Sequence, residues 1–203
     1  MALERAADIE VLGEAPDADM ARIVTEQMAP DVVVLGMQLP PIGGVRAAAE
    51  LRELVPRVQI ALTLDLDGEG VEGDVQQAVR AGVSGFISRD VIPTEAPALV
   101  QALAGGRPVL PSRAAAAVVG DYDAISVGGS EGGTLLLESR ERALLECLAE
   151  GKRLSAAALE LGLGPMTASN LVANTLQKLH RYGRLVGPRT AGRQADDRSR
   201  PGR

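Results

Sequence analysis

Residues 31–63 read DVVVLGMQLPPIGGVRAAAELRELVPRVQIALT. Two short apolar runs rich in β-branched residues, 31–35 and 58–63, flank a stretch in which Val45, Ala48, Leu51 and Val55 recur at helical spacing before Pro56. Neither run alternates polar with apolar, the signature of a parallel strand buried on both faces. Upstream, IEVLG at 9–13 reads as a further strand, and Asp17 to Met28 as a helix with Met20, Ile23, Val24 and Met28 on one face. Downstream come a weaker helix from Gly68 to Ala81 carrying Val71, Val75, Ala78 and Val79, a strand at 84–87 (SGFI), and a helix from Thr94 to Leu103 with Pro97 in its first turn. Regular alternation of strand and helix predicts an α/β domain with a parallel sheet and right-handed crossovers.

Composition removes several function classes. Among 203 residues, Phe86, Tyr122 and Tyr182 are the only aromatics and there is no Trp, so the core is aliphatic and recognition by base stacking on aromatic platforms is excluded. Cys147 has no second cysteine to pair with, and one cysteine with one histidine, His180, cannot build a common zinc site. Cys147 reads as a small core residue, and His180 as a solvated histidine near a helix end. A hydrolase or transferase would need a base, which a single unpartnered histidine does not offer, so the sequence predicts no enzyme, no catalytic residue, no metal and no cofactor. With no signal-like start and no apolar run long enough to span a bilayer, a cytoplasmic location without a membrane partner is expected.

Charge divides the chain. Residues 1–120 carry 9 Arg and 17 Asp/Glu, a net −8; residues 121–136 add −3; residues 137–203 carry 12 Lys/Arg and 7 Asp/Glu, a net +5. An acidic front and a basic back predict two modules with different partners. Between them DYDAISVGGSEGGT, 121–134, reads as a flexible Gly-rich linker, preceded by a short helix starting at Ser112. The expected organisation is a front domain over 1–120, a linker over 121–134, a helical domain over 135–188 and a disordered basic tail over 189–203.

In the front half, 8–104 resembles the receiver domain of NarL/FixJ-type response regulators. The resemblance implies a flavodoxin-like doubly wound fold with its site at the carboxyl ends of the strands. It places Gly36 where the family has its phosphoryl-accepting aspartate, Thr63 on the family's Ser/Thr and Arg89 on its lysine. Glycine supplies neither nucleophile nor metal-binding oxygen, so the site is degenerate and the domain a pseudo-receiver. Nothing matches the family's magnesium-holding acidic pair; Asp65, Asp67 and Asp90 read as solvated surface. Residues 1–7 match the end of the family's first helix, so its first strand and most of that helix are expected to be missing, with the gap between IEVLG and DVVVL closed into a four-stranded sheet or covered by a second subunit. An upstream start is the third reading.

In the back half, helices are predicted at Arg140 to Ala149, Ser155 to Leu161 and Pro165 to Leu179, with Gly151 and Gly162 as stops, the spacing of a helix-turn-helix. RERALLECLAEG (140–151) and LELGLGPMTASNLVANTLQKL (159–179) resemble the LuxR-type DNA-binding domain, matching it at Arg140, Glu141, Leu145, Leu148, Ala149, Gly151, Ala158, Leu161, Gly162, Thr167, Asn174, Leu176, Lys178 and Leu179. The resemblance implies an all-α domain with Met166 to Leu179 as the recognition helix in the major groove. Thr167, Ala168, Ser169, Asn170 and Asn174 are then the candidate DNA-facing residues, and Lys152, Arg153, Lys178, Arg181 and Arg184 the candidate phosphate contacts. Ser169 and Leu171 stand where the family often has a basic residue and a histidine, and Gly183, Gly187 and Pro188 are expected to interrupt the family's fourth, dimer-forming helix.

Two readings follow from the resemblance. One is a transcription regulator of the two-component type that binds double-stranded DNA as a homodimer held by its receiver, without phosphorylation, or with a small molecule in place of phosphate. The other is an interaction module that titrates a partner regulator protein without binding DNA.

Overall fold

The computed structural model describes residues 3–91, 94–128 and 136–186. After a 3-10 turn at Leu3–Arg5, the front half runs α1 (Ala18–Met28), β1 (Val32–Gly36), α2 (Gly44–Leu54), β2 (Gln59–Leu64), α3 (Val71–Arg80), β3 (Gly85–Ser88), α4 (Ala96–Ala104) and α5 (Ser112–Gly128). The strands form a parallel sheet in the order β1-β2-β3, with Gly36 opposite Thr63 and Leu64 opposite Ser88. Its central strand is buried from Ile60 to Leu62, as a strand covered on both faces must be.

Three expectations for the front half are corrected. IEVLG forms no strand and no four-stranded sheet closes: among the described residues β1 is an edge strand, its outer main-chain groups paired with no neighbour. The end of the segment instead approaches α1, where a Cβ on Gly13 would stand 2.9 Å from Val24 Cγ1. Helix α1 also turns a different face inward. Ala18, Ala21 and Thr25 are buried while Met20 and Met28 are exposed, because small side chains let the helix sit close to the following loop, where the Ala18 amide donates to the Pro40 carbonyl at 2.8 Å.

The third correction concerns 121–134. Residues 121–128 are not linker but the last turns of α5, and Asp121 and Tyr122 are buried. Local composition favours a coil there, and tertiary contacts override it. Arg80 Nε donates to Asp121 Oδ2 at 3.0 Å, and the Tyr122 hydroxyl donates to the Thr175 carbonyl at 2.8 Å. The rest of the expected linker and the 189–203 tail lie outside the described residues.

The back half holds α6 (Ser139–Ala149), α7 (Leu154–Glu160) and α8 (Pro165–Val186). Helix α6 opens with a reciprocal cap between Glu138 and Glu141. Leu144, Leu145, Ala157, Ala158, Val172 and Leu179 fill the centre of the three-helix unit. Helix α8 runs straight through Gly183, which does not interrupt it. The residue is instead a point of close approach: a Cβ there would stand 2.7 Å from Arg80 Cβ. One apolar cluster runs through both halves, from Ala18 to Tyr182. Helices α3 and α5 pack against α8 and α6 to form the seam. Among the described residues no helix is long and apolar enough to cross a membrane.

Candidate nucleic-acid interface

The carboxyl ends of the three strands bring together the residues matched to the phosphorylation site. Gly36 ends β1 beside its register partner Thr63, and Arg89 follows β3. A Cβ on Gly36 would meet nothing within 4 Å, whereas one on Gly44, at the start of α2, would stand 2.3 Å from the Gly36 carbonyl oxygen. Helix α2 is therefore seated on the main chain of this corner. The Thr63 hydroxyl donates to the Leu35 carbonyl at 3.4 Å, and Arg89 is exposed. Asp65 accepts the Asp67 amide at 3.0 Å within its own turn, and Asp67 lies 3.9 Å from Arg113. Among the described residues no group of three or more His, Cys, Asp or Glu side chains could hold a metal ion.

Helices α7 and α8 meet through a turn at 161–164, the geometry of a helix-turn-helix. Pro165 occupies the first position of α8, where its missing N–H costs nothing. Thr167, Asn170, Asn174 and Arg181 are exposed along α8, and Arg153 is exposed at the cap of α7. Two of the expected DNA-facing residues are not. Ala168 and Ser169 are buried, at 0% and 6%, so the structure turns them inward and Ser169 presents no edge to a base. Two outward positions that the sequence reading passed over are apolar: Leu159 is 82% exposed and Met166 77%.

Two expected phosphate contacts are already engaged. Lys178 Nζ donates to both oxygens of Glu141 at 2.7 Å, and that carboxylate is only 3% exposed. Lys152 Nζ donates to the Glu160 oxygens at 2.8 and 3.0 Å and lies 3.2 Å from Glu150, which together hold its ammonium well above the usual lysine range. Both are structural cations in this arrangement, and Arg153, Arg181 and Arg184 are the exposed ones.

The inner side of α8 faces the front half. His180 is not a helix-end residue: it lies within α8, its Nδ1 2.8 Å from the Arg80 carbonyl oxygen. Arg80 also sits over the Tyr182 ring, 5.9 Å from its centroid, a cation–π distance. Arg52 closes the lower corner, donating to Gly82 O at 2.6 Å, Val58 O at 2.7 Å and Ser84 Oγ at 3.1 Å, and its burial lowers the guanidinium's proton affinity. Beside it runs a groove of about 810 Å3, walled by the α2–β2 turn on one side and by Ala173, Gln177, Arg181 and Arg184 of α8 on the other.

No protein-family model matches the chain. It is 29% identical over 174 residues to the "DNA-binding transcriptional activator DevR/DosR" of Mycobacterium tuberculosis, covering 85% of this chain and 77% of the relative. It is 28% identical over 193 residues to the "Probable transcriptional regulatory protein NarL" of the same organism, covering 95% and 86%. The fold is shared with the Salmonella typhimurium RcsB response regulator, at a TM-score of 0.50 and 17% identity over 89% of both chains.

Proposed function

We propose that this chain, a response regulator of the NarL/FixJ type, binds double-stranded DNA through α7 and α8 and regulates transcription without phosphoryl transfer to its front half. The observation that carries the reading is the pairing of an outward α8 face bearing Thr167, Asn170 and Asn174 with a glycine at the end of β1. Asn170 and Asn174 supply the amide geometry that reads adenine, and Thr167 a hydroxyl for the backbone or a base edge. Phosphate contacts fall to Arg153 and Arg181, a thin set that makes binding weak and strongly salt-dependent. Homodimerisation through the front half is supported by the unpaired edge of β1, where Val34 is exposed.

The alternative, a module that docks on a partner regulator, is favoured by Leu159 and Met166, apolar residues standing out where a DNA-facing surface would be basic. Titrating DNA with the full chain across a salt series separates the two. Sequence-selective binding that weakens linearly in log salt and loses its preference in Asn170→Ala supports the regulator; no selectivity at any salt concentration supports the docking module. Incorporation of phosphate into the front half from a small phospho-donor would overturn the phosphorylation-independent reading.

A further inference from the structure

We propose that the groove between the α2–β2 turn and α8 is a binding site for a small polyanion, of the chemical class of a chain of two or more phosphates. Its volume of about 810 Å3 falls in the range of small-molecule sites, roughly 300–1,000 Å3. Arg57 projects from one wall, Arg181 and Arg184 from the other, and all three are exposed. None has a carboxylate within ion-pair distance among the described residues, and the groove's one acidic lining residue is Glu53. Arg52, by contrast, is spent on main-chain carbonyls, and His180 Nδ1 on Arg80 O.

Three uncompensated guanidinium groups contributed by two walls repel one another and raise a positive potential in the space between them. A ligand with several adjacent negative charges reverses the sign of that interaction, and guanidinium forks suit phosphate oxygens. Because its contacts come from both the front half and α8, such a ligand holds the two together. It therefore binds against any partner that needs the Gln177 and Arg181 face of α8, and that partner weakens the ligand in equal measure.

The test is calorimetric titration of the full chain with inorganic tripolyphosphate at low salt, beside a nucleoside triphosphate. Saturable binding is expected, with affinity falling about tenfold in each of Arg57→Ser, Arg181→Ser and Arg184→Ser, the loss of one charge-assisted contact. Arg22→Ser, on α1 away from the groove, should leave it unchanged. Tighter binding of the nucleotide than of tripolyphosphate assigns the ligand to nucleotides, and equal binding to the phosphate chain itself. Absence of saturable binding, or an equal loss in Arg22→Ser and Arg57→Ser, overturns the proposal. Because Arg57 belongs to the front half and binding is read directly with no DNA present, the result stands apart from whether the chain binds DNA.

Discussion

The Tyr122 hydroxyl donates to the Thr175 carbonyl at 2.8 Å, tying the end of α5 to the middle of α8 across 53 positions of sequence. Both residues are fully buried. Tyr122→Phe keeps the ring and loses the hydrogen bond, so it is expected to cost about 1 kcal/mol, whereas Tyr122→Ala empties the site and costs about 3–5 kcal/mol. Urea denaturation of the two variants checks the ratio; equal losses would mean that the hydroxyl, not the packing, holds the seam.

The same hydroxyl sets a pH dependence. Burial, and then the carboxylates of Glu141 and Asp121, push its ionisation well above the ordinary tyrosine value of 10.0. The folded state therefore keeps a proton that the unfolded chain releases. Its stabilising contribution is complete below about pH 10, the unfolded value, and declines as the pH rises above it. Stability measured from pH 8 to 11 should fall more steeply for the natural chain than for Tyr122→Phe; identical slopes would show that this group does not contribute.

Two glycines inside helices should respond in opposite directions. Gly183→Ala puts a Cβ 2.7 Å from the stem of Arg80, so the seam must shift; the expected cost is about 1–3 kcal/mol despite alanine's better helix propensity. Gly73→Ala, exposed in the first turn of α3 with nothing within 4 Å, should instead stabilise by about 0.5–1 kcal/mol. Thermal melts of both variants decide it, and a stabilising Gly183→Ala would mean that α8 does not rest on Arg80.

Lys178→Ala removes the partner of the nearly buried Glu141. A loss of about 1.5–3 kcal/mol is expected, with DNA affinity following only as far as stability does. Comparing the binding of folded protein with the unfolding midpoint separates the roles: weaker binding at unchanged stability would return Lys178 to the phosphate contacts.

Asp121→Asn weakens the buried ion pair that orients Arg80, the front-half residue whose carbonyl and guanidinium meet His180 and Tyr182 of α8. If α8 must leave the front half to enter a major groove, this variant binds DNA more tightly than the natural chain. Unchanged affinity in a DNA titration would show that the exposed end of α8 is sufficient.

What the sequence revealed depended on how local the signal was. The β1–α2–β2 unit, α3 and α6–α8 rest on periodicity and glycine stops within a dozen residues, and most of their apolar positions face the core, with Val34, Leu159 and Met166 standing out as exceptions. The IEVLG segment has strand composition, but a strand exists only with a partner to pair with, and none of the described residues supplies one. At 121–128 the polar residues and the glycines that begin at Gly128 pointed to a coil, while the usable signal was Tyr122, one of three aromatics in the chain and therefore an expensive residue to leave in water. At the candidate interface, residue type marked Lys178, Lys152 and Ser169. Only the fold reveals that the first two are held by glutamates and the third faces inward.

The scarcity of aromatic side chains has an optical consequence. With no tryptophan, near-ultraviolet absorption and emission come chiefly from Tyr122 and Tyr182. One is hydrogen-bonded across the seam and the other lies beneath Arg80. Every tyrosine chromophore thus sits where the two halves of the molecule touch, so near-ultraviolet circular dichroism and tyrosine emission report the opening of that contact without a label.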